Sequence, residues 1–112
     1  MDRVKRGEVV TVARPGDYGK PRPAVVVQAD LFNEAHASMT VAPVTSTLVN
    51  APLFRLAVEP SAQNGLGALS QVMVDKLMTV RRTRIGSTVG ELEPETMTRV
   101  NRALALWLGN AG

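Results

Sequence analysis

Arg22-Pro23-Ala24-Val25-Val26-Val27 is the stretch on which the reading of this chain turns. Its last four residues form an unbroken apolar run rich in β-branched side chains. Such a run marks a strand covered on both faces. Immediately upstream, Arg14 to Pro21 is dense in glycine, proline and other turn formers and reads as a loop. Before that, Glu8 to Val12 reads as a first strand entered from Arg6-Gly7. Downstream, Leu31 to Glu34 reads as one helical turn and Met39 to Val44 as a weakly alternating strand. Leu53 to Val58 reads as another, stopped by Pro60. Asn64-Gly65 is a strong turn signal. Ala68 to Val74 and Leu77 to Val80 then give strand segments, two strands or one that is bent. Arg81 to Arg84 is a basic link, and Ile85 to Val89 a short last strand.

The C-terminus carries the clearest helix. Pro94 suits a first helical position and Glu93 the cap before it. Leu92 and Met97 stand at the spacing of a hydrophobic staple. Met97, Val100, Leu104 and Trp107/Leu108 follow as one apolar stripe that covers a face of the sheet, with Trp107 in the core. Gly109 is placed to end the helix. The expected fold is mainly β, a curved and mostly antiparallel sheet with one terminal helix.

Composition narrows the functions open to such a fold. With 112 residues, the chain suffices for one domain over 1–112, and 45% hydrophobic against 21% charged residues is an ordinary globular mixture. A domain this small leaves roughly a third of its unfolded-chain surface in water, so pairing two copies would help it. No apolar run approaches the roughly 20 residues that cross a bilayer. The opening Met1-Asp2-Arg3-Val4-Lys5-Arg6 has no signal-peptide core, which points to the cytoplasm. Cysteine is absent and His36 is the single histidine, so disulfides, thiolate zinc and cysteine nucleophiles are out, and neither a metal nor a cofactor is expected. A net charge of +3 permits a polyanionic partner. Four aromatic residues, Tyr18, Phe32, Phe54 and Trp107, are too few for a base-stacking platform. A bound nucleic acid would be held by charge and backbone groups.

Several ordered segments carry a resemblance. Arg6-Gly7-Glu8-Val9-Val10 is followed by Lys20-Pro21-Arg22-Pro23 and the valine run, then by Val41-Ala42-Pro43-Val44-Thr45-Ser46. Gly65-Leu66, Ser70-Gln71-Val72-Met73-Val74-Asp75, Thr79-Val80 and the helix after Glu93 complete the set. In this order they resemble the MazF/PemK toxins over nearly the whole chain. The resemblance implies an SH3-like, partly open barrel with a C-terminal helix, the fold shared by CcdB and Kid, usually as a homodimer. It implies a sequence-selective, metal-independent endoribonuclease that cuts single-stranded RNA by 2′-OH attack and is neutralised by a cognate antitoxin.

The same resemblance makes Arg22 and Thr45 the catalytic pair. An arginine fork matches phosphate oxygens bidentately, and a threonine hydroxyl can donate to a non-bridging oxygen. Arg22 is assigned to charge stabilisation first, because arginine is a poor general base. Ser70 and Asp75 match polar positions that line the substrate groove, Ser46 follows the catalytic threonine, and Lys20 is placed for a phosphate contact. Arg81 and Arg82, with Arg84, form the densest basic cluster, either a solvated face or a contact to the RNA backbone. Two departures stand out. The loop before Pro21 is short and lacks a Glu-Gln segment common in relatives. Lys76-Leu77-Met78 occupies a stretch that often reads Gln, apolar, Arg; Lys76 either supplies the missing charge or leaves the site weaker. Two other readings compete: a CcdB-like gyrase inhibitor, faintly echoed by Trp107-Leu108-Gly109, and an inactive SH3-like interaction module.

Overall fold

The valine run lies in the middle of the sheet, as its lack of alternation requires. The computed structural model describes residues 4–13 and 20–110, so most of the expected Arg14 to Pro21 loop lies outside the described residues. The strands are β1 Glu8–Val12, β2 Arg22–Val26, β3 Ser38–Thr45, β4 Arg55–Val58, β5 Ser70–Met73, β6 Met78–Arg81 and β7 Ile85–Glu91. The helices are α1 Asp30–Asn33 and α2 Pro94–Trp107. All pairings are antiparallel, in the order β4-β5-β3-β2-β1-β7, with β6 also on β3. The sheet curls without closing. The expected mainly β barrel with a terminal helix is the observed architecture. No helix among the described residues is long and apolar enough to cross a membrane.

Alternation along each strand sorts the apolar residues onto two buried faces. Val9, Val25, Val27, Ala42 and Val44 share one face, closed by Leu92 and by Val100 and Ala103 of α2. Val10, Val12, Ala24, Val26, Met39 and Val41 share the other, with Val80. Each fully buried valine is worth ~1.5–3 kcal/mol over exposure, so β1, β2 and β3 carry much of the stability. β3 is the longest strand and the hub. One edge pairs with β2; the other pairs with β6 at Ser38 to Val41 and with β5 at Val44 and Thr45. A 3-10 turn, Val74–Lys76, makes that change of partner possible by separating β5 from β6, so they are two strands.

Two local expectations need correction. α2 begins at Pro94, but the Glu93 side chain makes no cap bond. Its carboxylate instead accepts from Ser61 Oγ at 2.6 Å and Asn64 Nδ2 at 3.3 Å. Val100 of the expected stripe is buried and Met97 and Leu104 pack partly buried against the core, with Thr96 and Ala103 beside them, so the stripe fails only at its C-terminal end. Trp107 consequently falls at the rim, 49% exposed and tilted against Phe54 at 5.6 Å between ring centroids. The turn expected at Asn64-Gly65 is present, closed by Gly65 N–H donating to Ser61 O at 3.0 Å, within the longer connection 59–69 between β4 and β5.

That connection is rigid for a different reason. Asn64 is fully buried; its Oδ1 accepts from the backbone N–H of Ser61 and of Leu66, both at 3.0 Å, and its Nδ2 donates to Glu59 O at 2.9 Å. Gly65, at φ 72°, lies on β7 so closely that a Cβ would stand 2.1 Å from Val89 O. A Cβ on Gly90 would stand 2.3 Å from the Asn64 carbonyl carbon. Two backbones in contact leave no room for a methyl group. Gly90→Ala is therefore expected to cost about 2–3 kcal/mol and lower the melting temperature by roughly 10 °C; an unchanged melting curve would contradict this contact.

Candidate active site

The β2–β3 register decides where the proposed reactive side chains stand. Ala24 lies opposite Pro43, Val25 opposite Ala42 and Val26 opposite Val41. That ladder ends at Ala24–Pro43; beyond it Arg22 pairs with Val12 of β1 and Thr45 with Gln71 of β5. Alternation turns Arg22 to the face of Ala24 and Val26, and Thr45 to the face of Met39 and Val41. Both side chains line one cavity of about 540 Å³, with Val12, Ala24 and Met78 of the second core face at its floor. The cavity is the open mouth of that face.

The site is built to present donors. Thr45 Oγ1 accepts the backbone N–H of Thr47 at 3.0 Å, which fixes the oxygen and leaves its own O–H to donate outward. Further along the same loop, the buried Gln71 amide clamps Val49 by both its atoms, accepting from Val49 N at 3.1 Å and donating to Val49 O at 2.8 Å. Arg22 is exposed at the cavity edge, and no acceptor among the described residues is set against its guanidinium. A partly enclosed apolar floor strengthens whatever charge interaction forms above it.

The predicted residues divide into two groups. Arg22, Thr45, Ser46 and Ser70 line the cavity together. Ser70 spends its donor on Ala68 O at 2.8 Å, so toward a ligand its hydroxyl is an acceptor. Lys20, Asp75, Lys76, Arg81 and Arg82 are not in the lining. Lys20 is exposed two residues before Arg22, and Lys76 is exposed on the 3-10 turn. Arg81 is exposed at the end of β6, opposite Ser38. Asp75 forms a bidentate pair with Arg55 at 2.7 and 3.0 Å. Arg82 donates to the backbone carbonyls of Asn33 and His36 and so ties β6 to the α1–β3 link. Among the described residues no three His, Asp or Glu side chains cluster as metal ligands would.

Sequence reasoning missed the opposite wall. Leu66, Gly67 and Ala68 line the cavity, as do Met73 and Met78. Nothing in their types marks them, because small and apolar residues in a loop carry no chemical signature. The Asn64-Gly65 turn signal was the one available pointer to a fixed conformation there.

A profile of the PemK-like, MazF-like toxins of type II toxin–antitoxin systems matches residues 5–108. The chain belongs to this family. It is 44% identical over 110 residues to the probable endoribonuclease MazF of Mycolicibacterium smegmatis, covering 97% of this chain and all of that relative. It is 26% identical over 109 residues to endoribonuclease EndoA of Bacillus subtilis, covering 94% of each. An endoribonuclease from a mycobacterial species, solved in complex with its cognate antitoxin, superposes with a TM-score of 0.80 at 28% identity, covering 97% of this chain and 96% of that one. Membership in a family of MazF-like toxins does not favour the gyrase-inhibitor or inactive-module readings. The MazF-like fold therefore offers a cavity lined by both Arg22, which has no acceptor among the described residues, and the oriented Thr45 hydroxyl.

Two carboxylates make stability depend on acid. The Ser61 hydroxyl, more than any other contact, holds the Glu93 carboxyl below its ordinary 4.5. The Arg55 hydrogen bonds hold the Asp75 carboxyl below 3.8. Both folded values are depressed, so their contribution is present above the ordinary values and lost as the pH falls through the lower ones. Unfolding followed from about pH 5 to about pH 3 should show declining stability, flattened in Glu93→Gln and in Asp75→Asn. An unchanged pH slope in both variants would contradict these assignments.

Proposed function

We propose that this MazF-type endoribonuclease toxin cuts single-stranded RNA sequence-selectively and without metal, with Arg22 and Thr45 acting on the same phosphodiester. The substrate's 2′-oxygen attacks phosphorus in line, the P–O5′ bond breaks, and the products are a 2′,3′-cyclic phosphate and a free 5′-OH. The 2′-OH loses a proton and the departing 5′-oxygen gains one. Extra negative charge develops on the non-bridging oxygens in between. The Arg22 fork meets that charge with two parallel N–H donors, and the Thr45 hydroxyl adds a third donor already oriented by the Thr47 N–H. Donors fixed beforehand need no reorganisation when the charge appears, which is where their catalytic value lies. The observation that carries this reading is the single cavity that Arg22 and Thr45 line together.

The remaining residues take graded roles. Ser46 and Ser70 contact the nucleotide within the cavity. Lys20, Lys76 and Arg81 hold phosphates further along the strand. Asp75 acts through the Arg55 side chain it pairs with, and Arg82 through the backbone carbonyls it holds. The net charge of +3 suits both RNA and an acidic antitoxin segment that occludes the same cationic site. The chain acts in the cytoplasm as one toxin domain and pairs as a homodimer, which offsets its small core. Light scattering that reports a monomer at micromolar concentration would remove the dimer, and an acidic protein encoded upstream that fails to slow RNA cutting would remove the antitoxin.

Arg22→Ala is expected to lower kcat on unstructured RNA by about 10²–10³-fold with folding intact. Cutting by the unaltered protein should persist in EDTA. Loss of cutting with chelator, or full activity in Arg22→Ala, would overturn the mechanism.

A further inference from the structure

The Leu66-Gly67-Ala68 part of the cavity lining has no role in the chemistry above, yet the loop that carries it is held by several bonds. Asn64 is fully buried and bonded to Ser61, Leu66, Glu59 and Glu93, and Ser70 Oγ holds Ala68 O. Gly65 lies directly on the β7 backbone at Val89. The loop thus has rigid structure behind it and cannot retreat. Its inner side, Leu66-Gly67-Ala68, lines the cavity. Gly67 is the open point: a Cβ built there meets nothing within 4 Å, and its backbone is not in the left-handed region. A glycine that neither conformation nor packing demands is left where free space is what the site uses.

Resting on the ribonuclease reading, we infer that Leu66-Gly67-Ala68 is a base-selecting wall, and that the bare Gly67 position leaves room for a purine beside the scissile phosphate. Selection is by shape and apolar contact. Leu66, Ala68 and Met73 present carbon and sulfur to the base, and among the described residues no aromatic ring lines the cavity for stacking. A side chain added at Gly67 projects into space that the larger base needs, because the pinned loop cannot move back to restore it. Differences of one or two methyl groups in such a pocket change discrimination by about 10–200-fold.

The test is digestion of a single-stranded RNA pool of randomised sequence by the unaltered protein, by Gly67→Val and by Ala68→Val, sequencing the bases that flank each cut. The unaltered protein should accept purines at one position next to the cut. In Gly67→Val the purine-to-pyrimidine ratio at that position should fall by about 10-fold or more, with the other positions and the melting temperature unchanged. Ala68→Val, which adds bulk to the same wall, should shift the same position and serves alone if Gly67→Val does not fold. Active variants with an unaltered flanking profile, or equal slowing at every sequence, would overturn the wall while leaving the ribonuclease intact. An unaltered protein that leaves the pool uncut would overturn both.

Discussion

The pairing of β2 with β3 is the constraint on which the rest depends. Ala24 against Pro43 and Val26 against Val41 lock the two most buried strands in one register, because both carry core residues on both faces. A slip of one residue would turn every one of those side chains to the wrong face. Just beyond the paired residues, Arg22 at the start of β2 and Thr45 at the end of β3 line the same cavity. The register that builds the core thus also bounds the site in which the proposed chemistry would take place.

Around that ladder the polar residues divide between bracing and presenting. Asp75 and Arg55 neutralise each other beside α2, Arg82 is drawn onto two backbone carbonyls, and Arg6 reaches Val27 O and Asn101 Oδ1 from the entry of β1. These charges hold strands and helices together and give up their freedom to do so. Arg22 does the opposite. Its guanidinium has no acceptor among the described residues, and the Thr47 N–H orients the Thr45 hydroxyl without consuming its proton. The basic cluster at 81–84 illustrates the same division, with Arg82 engaged in the fold and Arg81 left in solvent.

The strands were legible because burial on both faces leaves an unbroken apolar run, as at Ala24 to Val27, and helix α2 because Pro94 and Gly109 punctuate it. Its stripe holds at Met97, Val100 and Leu104 and fails only at its end, where Trp107 stands half-exposed against Phe54. Arg22 and Thr45 were legible through the ordered family motifs, and the fold brings both to one cavity. What stayed hidden was long-range polar structure. Glu93 looks like a helix cap and Asn64 like a turn former, while their partnership spans 29 residues. Asp75 and Arg82 look like binding residues because their own partners, Arg55 and the carbonyls of Asn33 and His36, lie far away in the chain. Local pattern carries no information about such contacts.

The most direct test of the account is a double-mutant cycle on kcat for Arg22→Ala and Thr45→Ala with one unstructured RNA. If both side chains act on one phosphodiester, the double variant should lose clearly less than the product of the two single losses, a coupling of at least about 1 kcal/mol. Losses that multiply without coupling, or a Thr45→Ala protein as active as the unaltered one, would contradict it.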